Sequence, residues 1–386
     1  MIRKALNIDE VKDMARRVLP RGMFEFIERG TESETGLAAT RRSLDGVRLH
    51  PSVLVDVSDR CQDVELLGQR QPLPLVVAPT GLAGLMWYEG EIELARAAAR
   101  AGIPFCVSTQ SITSVEDIAG RAGGRLWFQL YILKDRALTE TFVERARAAG
   151  SDTLMVTVDT VVSPKREYNT RNGFGIPFNP NLRGVVDLAS HPGWLLRVLG
   201  RYLRAGGIPT YPHYPPEFRR KITRDALSEG LRLADDVTWE EIAALRRRWQ
   251  GRFIIKGILR EDDARRAADC GADAIVVSSH GARNLDAAVP PVEVLPAIAD
   301  AVGERLTVLA DGGVRRGSDV VKLLALGARA VLIGRSTLYG TAVAGEAGAA
   351  RVIEILRDEI DRTMAFTGCT RIGDIGRDLV HAGPRR

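Results

Sequence analysis

Short apolar runs ending in Gly, Pro, Asp or Ser recur along the chain, and helical periodicity follows most of them. Eight stand out: "PLVVAP" from Pro74, "IPFCVS" from Ile103, "LWFQLY" from Leu126, "TLMVTVD" from Thr153, "FIIKG" from Phe253, "AIVVSS" from Ala274, "LTVLAD" from Leu306 and "AVLIGR" from Ala330. The runs are continuous rather than alternating, which is the pattern of parallel strands covered on both faces. Their starts lie 21 to 32 residues apart, except for a gap of 100 between the fourth and fifth. The closed solution is an α/β fold, a (β/α)8 TIM barrel, in a single domain. Residues 1–65 form an N-terminal helical cap, 66–386 the barrel, and about 165–238 a long insertion after strand 4. An open doubly wound sheet competes, but no G-x-G-x-x-G follows the first strand. Thr113 and Glu116 have the spacing of a capping box at one helix start.

In such a barrel the chemistry lies just beyond the C-terminal strand ends. In chain order these carry Thr80, Ser108 and Thr109, Gln129 and Tyr131, Thr157 and Asp159, Lys256, Ser278 and His280, Asp311, and Gly334 and Arg335. The last two are the sharpest. Gly312 and Gly313 precede Arg315, and Gly334 precedes Arg335, so two adjacent loops offer glycine backbone and an arginine to a phosphate. That feature alone leaves open whether the phosphate belongs to a cofactor or a substrate.

Composition narrows the class. The chain is 45% hydrophobic and 27% charged, as soluble globular proteins are, and its four cysteines lack any C-x-x-C spacing, so neither a disulfide framework nor a metal site is expected. The N-terminus lacks the apolar core of a signal peptide and no run of eighteen apolar residues exists, so a cytoplasmic location is expected. Charge is placed unevenly. Residues 180–225 hold eight basic residues, including Arg183, Arg197, Arg201, Arg204, Arg220 and Arg224, against Asp187, Glu217 and Asp225. That balance equals the chain's whole formal charge of +5.

Six motifs in order carry a family resemblance: "APTG" at 78, "WFQLY" at 127, "TVD" at 157, "IKG" at 255, "SSHGARNLD" at 278 and "DGGVRRGSDVV" at 311. The chain resembles the FMN-dependent α-hydroxy acid dehydrogenase and oxidase family, most nearly its membrane-associated mandelate and lactate dehydrogenase branch. The resemblance implies oxidation of a small L-2-hydroxy acid with FMN as cofactor. His280 would be the base, Asp159 its partner, Arg166 and Arg283 the carboxylate clamp, Tyr131 a contact to the substrate hydroxyl, and Lys256 a positive charge beside the reduced flavin. Pro79, Thr80, Gly81, Ser108, Gln129, Thr157 and Ser278 would contact the flavin, with Asp311, Gly313, Arg315, Gly334 and Arg335 on its phosphate side. Phe26 stands where the family usually has a tyrosine that donates to the substrate carboxylate. Ala282 and Asn284 replace the usual Gly and Gln of the histidine loop. Phe24, Phe26, Leu82, Met86 and Trp87 suggest a bulky, mandelate-like side chain.

Within the insertion, Leu195, Val198, Leu199 and Tyr202 form one apolar stripe and Arg197, Arg201 and Arg204 share another face. Two readings remain: peripheral membrane contact through about 182–225 at the inner face of the cell membrane, or a helix covering the barrel mouth with solvated arginines. The branch resembled favours the first, a membrane quinone as electron acceptor and a homotetramer; nucleic acid is disfavoured for want of a binding module. Alternatives are a soluble oxidase that reduces oxygen to hydrogen peroxide, and, in another class, a flavin-independent isomerase or aldolase using Lys256 on a phosphorylated substrate. A third is a non-catalytic, membrane-docked binding module.

Overall fold

A computed structural model describes residues 2–174, 181–219, 221–223 and 231–381. All eight apolar runs are strands: β1 (Leu75–Val77), β2 (Phe105–Ser108), β3 (Leu126–Leu130), β4 (Thr153–Thr157), β5 (Arg252–Ile258), β6 (Ala274–Val277), β7 (Thr307–Ala310) and β8 (Ala330–Ile333). They pair in parallel in chain order, and the barrel closes where Val331, Leu332 and Ile333 meet Leu75, Val76 and Val77. One set of alternate residues, among them Val76, Cys106, Trp127, Met155, Ile254 and Leu309, fills the interior. The other set, including Leu75, Phe105, Phe128, Leu154 and Phe253, packs under the surrounding helices. Both faces are buried, which is why the runs are continuous. At the N-terminal end the hairpin of Val64–Leu66 and Gln69–Gln71 sets Leu66 against the interior cluster.

Helices follow the strands as the pattern requires, from Gly90–Arg100 after β1 to Arg335–Thr367 after β8, the last broken at Ala344 and Gly345. The expected cap at Thr113 is displaced by one residue. Ser114 caps the helix Val115–Ala122 by accepting from Asp117 N–H, because Thr113 donates instead to the buried carboxylate of Glu91 at 3.0 Å.

Between β4 and β5 the chain forms short helices at Glu167–Asn172 and Leu182–Ala189, then a longer one from Pro192 to Ala205 with a π-helical turn at Leu195–Leu199. Trp194, Val198 and Tyr202 recur every fourth residue, a spacing that drifts by about 40° per step on an ideal helix. The wider turn takes up the drift and keeps all three inward. Trp194 Nε1 donates to Leu85 O at 2.8 Å, and the Tyr202 hydroxyl accepts from Glu89 N–H at 3.1 Å. The predicted apolar stripe is therefore the face turned to the protein. The exposed apolar residues are others: Leu182 (81% exposed), Val185, Val186, Leu196 (68%) and Leu203. Arg197 and Arg201 stack over Trp87 and Tyr88, whereas Arg220, Arg224 and Asp225 lie outside the described residues.

His213 ties this segment to the barrel. Its Nε2 accepts from Val115 N–H at 3.0 Å, so Nδ1 carries the proton and donates to Thr109 O at 3.0 Å. Burial pushes its pKa down to about 4. A histidine with a lowered folded pKa adds stability that is present above the unfolded value of 6.5 and is lost as pH falls toward 4. The protein should lose roughly 2 kcal/mol between pH 7 and pH 5 from this group. In thermal melts His213→Phe should be less stable at pH 7 but show a shallower decline down to pH 5. An unchanged slope would remove His213 as the source.

Candidate active site

The loop after β6 makes three consecutive left-handed residues, His280 (φ 55°), Gly281 (φ 64°) and Ala282 (φ 58°). Only the middle one is a glycine, so two side chains are held in a conformation that L residues rarely adopt. Ser278 fastens the start of the turn: its hydroxyl accepts from His280 N–H and from Lys256 Nζ, both at 3.0 Å. Ser278 was expected against the flavin, but it is wholly buried and does not face the cavity; it supports residues that do.

Asp159, two residues past β4, meets His280 Nδ1 at 2.8 Å. Burial would raise the Asp159 carboxyl, but His280 and Lys256 oppose it and hold the carboxyl at about 2. An ionised partner at Nδ1 leaves Nε2 as the basic nitrogen. Burial, with Lys256 and Arg283 nearby, pulls the imidazole below 6.5 despite Asp159, so it is neutral at pH 7. The Tyr131 hydroxyl lies 3.4 Å from Nε2 and is kept protonated by burial and by Asp159.

Lys256 reaches the pocket through a bulge. The pairing of β5 with β6 slips between Lys256 and Ile258, leaving Gly257 unpaired at φ 111°. A Cβ on Gly257 would stand 2.6 Å from Asp159 Cβ, so this glycine gives Asp159 its place. Burial would lower the ammonium, but Asp311, 3.5 Å away, and Asp159 raise it. A lysine held protonated is a poor amine nucleophile, which removes the basis for the aldolase alternative.

Arg166 and Arg283 are partly buried neighbours. Arg283 donates to Phe26 O at 2.7 Å and Arg29 O at 2.9 Å and lies over the Phe26 ring, while Arg166 Nε has no partner. Burial and the mutual repulsion of the two bring Arg283 down to about 10. Among the described residues neither pairs with a carboxylate, so the arrangement calls for an anion.

A cavity of about 190 Å³ runs across the strand ends. Pro79, Thr80, Gly81, Ser108, Gln129, Thr157, Lys256 and His280 line it, together with Asp311, Gly313, Arg315, Gly334 and Arg335. Arg335 donates to Ile27 O and Gly281 O, and Arg315 meets Glu28 at 3.3 Å. Glu28, which also accepts from Tyr339 and Lys12, escaped the sequence reading, since its partners are remote in the chain. Thr160, adjacent to Asp159, was passed over, and Asn284, read only as a replacement for the usual Gln, was not placed beside Asp159 because the two are remote in the chain.

A larger cavity of about 1070 Å³ meets the first at Phe26, Tyr131, Arg166 and His280. Its apolar walls include Val161, Val162, Tyr211, Tyr214, Phe218 and Leu231. Of the residues expected to shape a side-chain pocket only Phe26 lines it. Leu82 and Met86 are core residues, Phe24 is buried with its ring 6.3 Å from that of Tyr339, and Trp87 lies under Arg197.

The family model described as FMN-dependent dehydrogenase matches residues 15–382. The chain is 39% identical over 380 residues to (S)-mandelate dehydrogenase of Pseudomonas putida, covering 98% of this chain and 95% of that one. It is 40% identical over 382 residues to L-lactate dehydrogenase of Caulobacter vibrioides, covering 96% of each. Among solved structures, the monotopic membrane protein (S)-mandelate dehydrogenase superposes with a TM-score of 0.89 at 37% identity, over 98% of this chain and 99% of that chain.

The bulge generates a test. Gly257→Ala should leave a folded barrel, as judged by melting temperature, while displacing Asp159. Turnover should fall roughly a hundred-fold, the scale for a displacement of about 1 Å among reacting groups. Wild-type turnover in that variant would mean that the bulge does not position Asp159.

Proposed function

The chain belongs to the FMN-dependent dehydrogenase family, and from that premise we propose that it oxidises an L-2-hydroxy acid, mandelate-like or lactate-like, to the 2-oxo acid. The observation that carries the reading is a neutral His280, held by ionised Asp159, beside two partly buried arginines without a carboxylate partner among the described residues. A 2-hydroxy carboxylate supplies what each lacks: an anion for Arg166 and Arg283, and a hydroxyl proton for Nε2.

FMN fits the narrower cavity. Gln129 Nε2 and Asp311 Oδ1 are buried polar atoms with no protein partner, and two glycine-bearing turns with Arg315 and Arg335 line it as well. Ser108, Gln129, Thr157, Lys256 and the backbone of Pro79 to Gly81 would hold the ring; Gly313, Arg315, Gly334 and Arg335 would hold the phosphate. When bound, FMN accepts the two electrons that leave the substrate carbon. His280 takes the hydroxyl proton, Asp159 stabilises the imidazolium, Tyr131 donates to the substrate oxygen, and Lys256 supplies fixed positive charge. The bulk of the larger cavity favours an aromatic or bulky side chain, with Phe26 on its wall.

Electrons pass to a quinone in the membrane, and the enzyme is a homotetramer docked at the inner face. The support for docking is the insertion's outer surface, where exposed Leu182, Val185, Val186, Leu196 and Leu203 stand among Arg183, Arg197, Arg201 and Arg204. No helix among the described residues is long and apolar enough to cross a membrane, so contact would be peripheral.

Two experiments test these statements. Purified protein should be yellow and bleach anaerobically with mandelate or lactate; kcat/KM should fall on acidification with a limb below pH 6.5, and His280→Ala should lose about 10²- to 10⁴-fold. Sustained turnover in His280→Ala with FMN bound would overturn the assignment. The protein should also sediment with anionic liposomes, less so at high salt, and Leu182→Asp with Leu196→Asp should abolish this. Fast reoxidation by oxygen without liposome binding would leave a soluble oxidase instead.

A further inference from the structure

Asn284 lies four residues past His280, and the left-handed turn at 280–282 brings its side chain back beside the loop after β4. Its Nδ2 donates to Asp159 O at 2.9 Å and to Thr160 Oγ1 at 2.8 Å, with a longer contact of 3.3 Å to Asp159 Oδ1. The amide orientation is forced, because a backbone carbonyl and an ionised carboxylate only accept. Its own Oδ1 is then left buried without a partner. An unpaired buried acceptor is unfavourable, so stability alone is a weak account of this residue.

The direction of the chain has a consequence for the imidazole. Thr160 Oγ1 stands between Asp159 Oδ1, an acceptor, at 3.0 Å and His280 Nδ1, an acceptor only in the other tautomer, at 3.4 Å, and it has one proton to give. Given to Nδ1, that proton would make Nδ1 an acceptor and put the ring proton on Nε2, the nitrogen that faces Tyr131 and the larger cavity. Asn284 approaches Oγ1 as a donor, occupies a lone pair, and leaves the hydroxyl proton aimed at Asp159. Two donors, Thr160 and His280 Nδ1, then converge on Oδ1.

Resting on the assignment of His280 as the base, we infer that Asn284 and Thr160 are positioning residues for the proton transfer: a one-way hydrogen-bond chain from Asn284 through Thr160 to Asp159 locks His280 in the tautomer with a bare Nε2. The chain also joins the loops after β4 and β6, so carboxylate and imidazole move as a unit.

The tautomer can be read without turnover. Nitrogen-15 NMR of the five histidines, with His280 assigned by its absence in His280→Ala, should show Nδ1 protonated and Nε2 bare above the titration of His280. Asn284→Ala frees the Thr160 hydroxyl to turn toward Nδ1 and should give mixed tautomers with kcat/KM down about ten- to a hundred-fold; adding Thr160→Val, which removes that competing donor at nearly constant shape, should restore the single tautomer. Asn284→Asp reverses the first link and adds negative charge, so the acid limb of kcat/KM should move to higher pH. An Asn284→Ala enzyme with wild-type tautomer and rate would overturn the inference, as would, if that variant failed to fold, an Asn284→Asp enzyme with the wild-type pH profile. An active His280→Ala would instead sink the assignment of the base, a distinct outcome.

Discussion

Five positive side chains, Lys256, Arg166, Arg283, Arg315 and Arg335, line one cavity with three carboxylates near them, Asp159, Asp311 and Glu28. Removing charge from water is unfavourable unless opposite charge and hydrogen bonds replace the lost hydration. The barrel meets part of that need with its own backbone: carbonyls of Phe26, Ile27, Arg29 and Gly281 turn inward to accept from Arg283 and Arg335. Three of those four carbonyls come from the N-terminal segment before β1 and one from the histidine loop, so that segment is part of the site's electrostatics. What remains unbalanced is positive charge. A phosphate and a carboxylate would complete the set, and binding of both would add to the stability of the folded state.

That surplus also explains how two adjacent acid–base groups keep different states at neutral pH. Asp159 stays ionised because Lys256 and the imidazole face it, and His280 stays neutral because burial and the nearby cations disfavour a further positive charge. Proton transfer to His280 thus places a cation where the field resists one except for Asp159. The pair is stable in one resting form and poised for one change, as a general base requires.

The barrel was legible because its strands are buried on both faces: eight continuous runs such as Thr153–Thr157 and Ala274–Val277 can be read without knowing their partners. Residues at strand ends inherited that legibility, and His280, Asp159 and Lys256 could be placed from position alone. Features set by distant partners were not readable. Glu28 meets Arg315 across 287 residues, and Asn284 meets Asp159 across 125. The bulge at Gly257 looked like an ordinary strand end, and Thr113 looked like a cap until Glu91 claimed its hydroxyl. The insertion's stripe was found but its direction was not, because periodicity gives a face and not what lies opposite it.

The insertion shows why direction matters. Trp194, Val198 and Tyr202 are committed to the barrel by burial and by hydrogen bonds to the loop after β1, and His213 to the loops around β2. Those anchors fix the remaining surface, so Leu196 and Leu203 are left outward by geometry. Their exposure alongside Leu182, Val185 and Val186 sets several large apolar side chains on one segment among arginines. A surface of that kind is unfavourable in water and favourable at a charged apolar boundary. The loop after β4 supplies both that surface and, through Asp159 and Arg166, two groups of the site. An exposed apolar and basic element and two groups of the site are therefore carried on one connection between two strands.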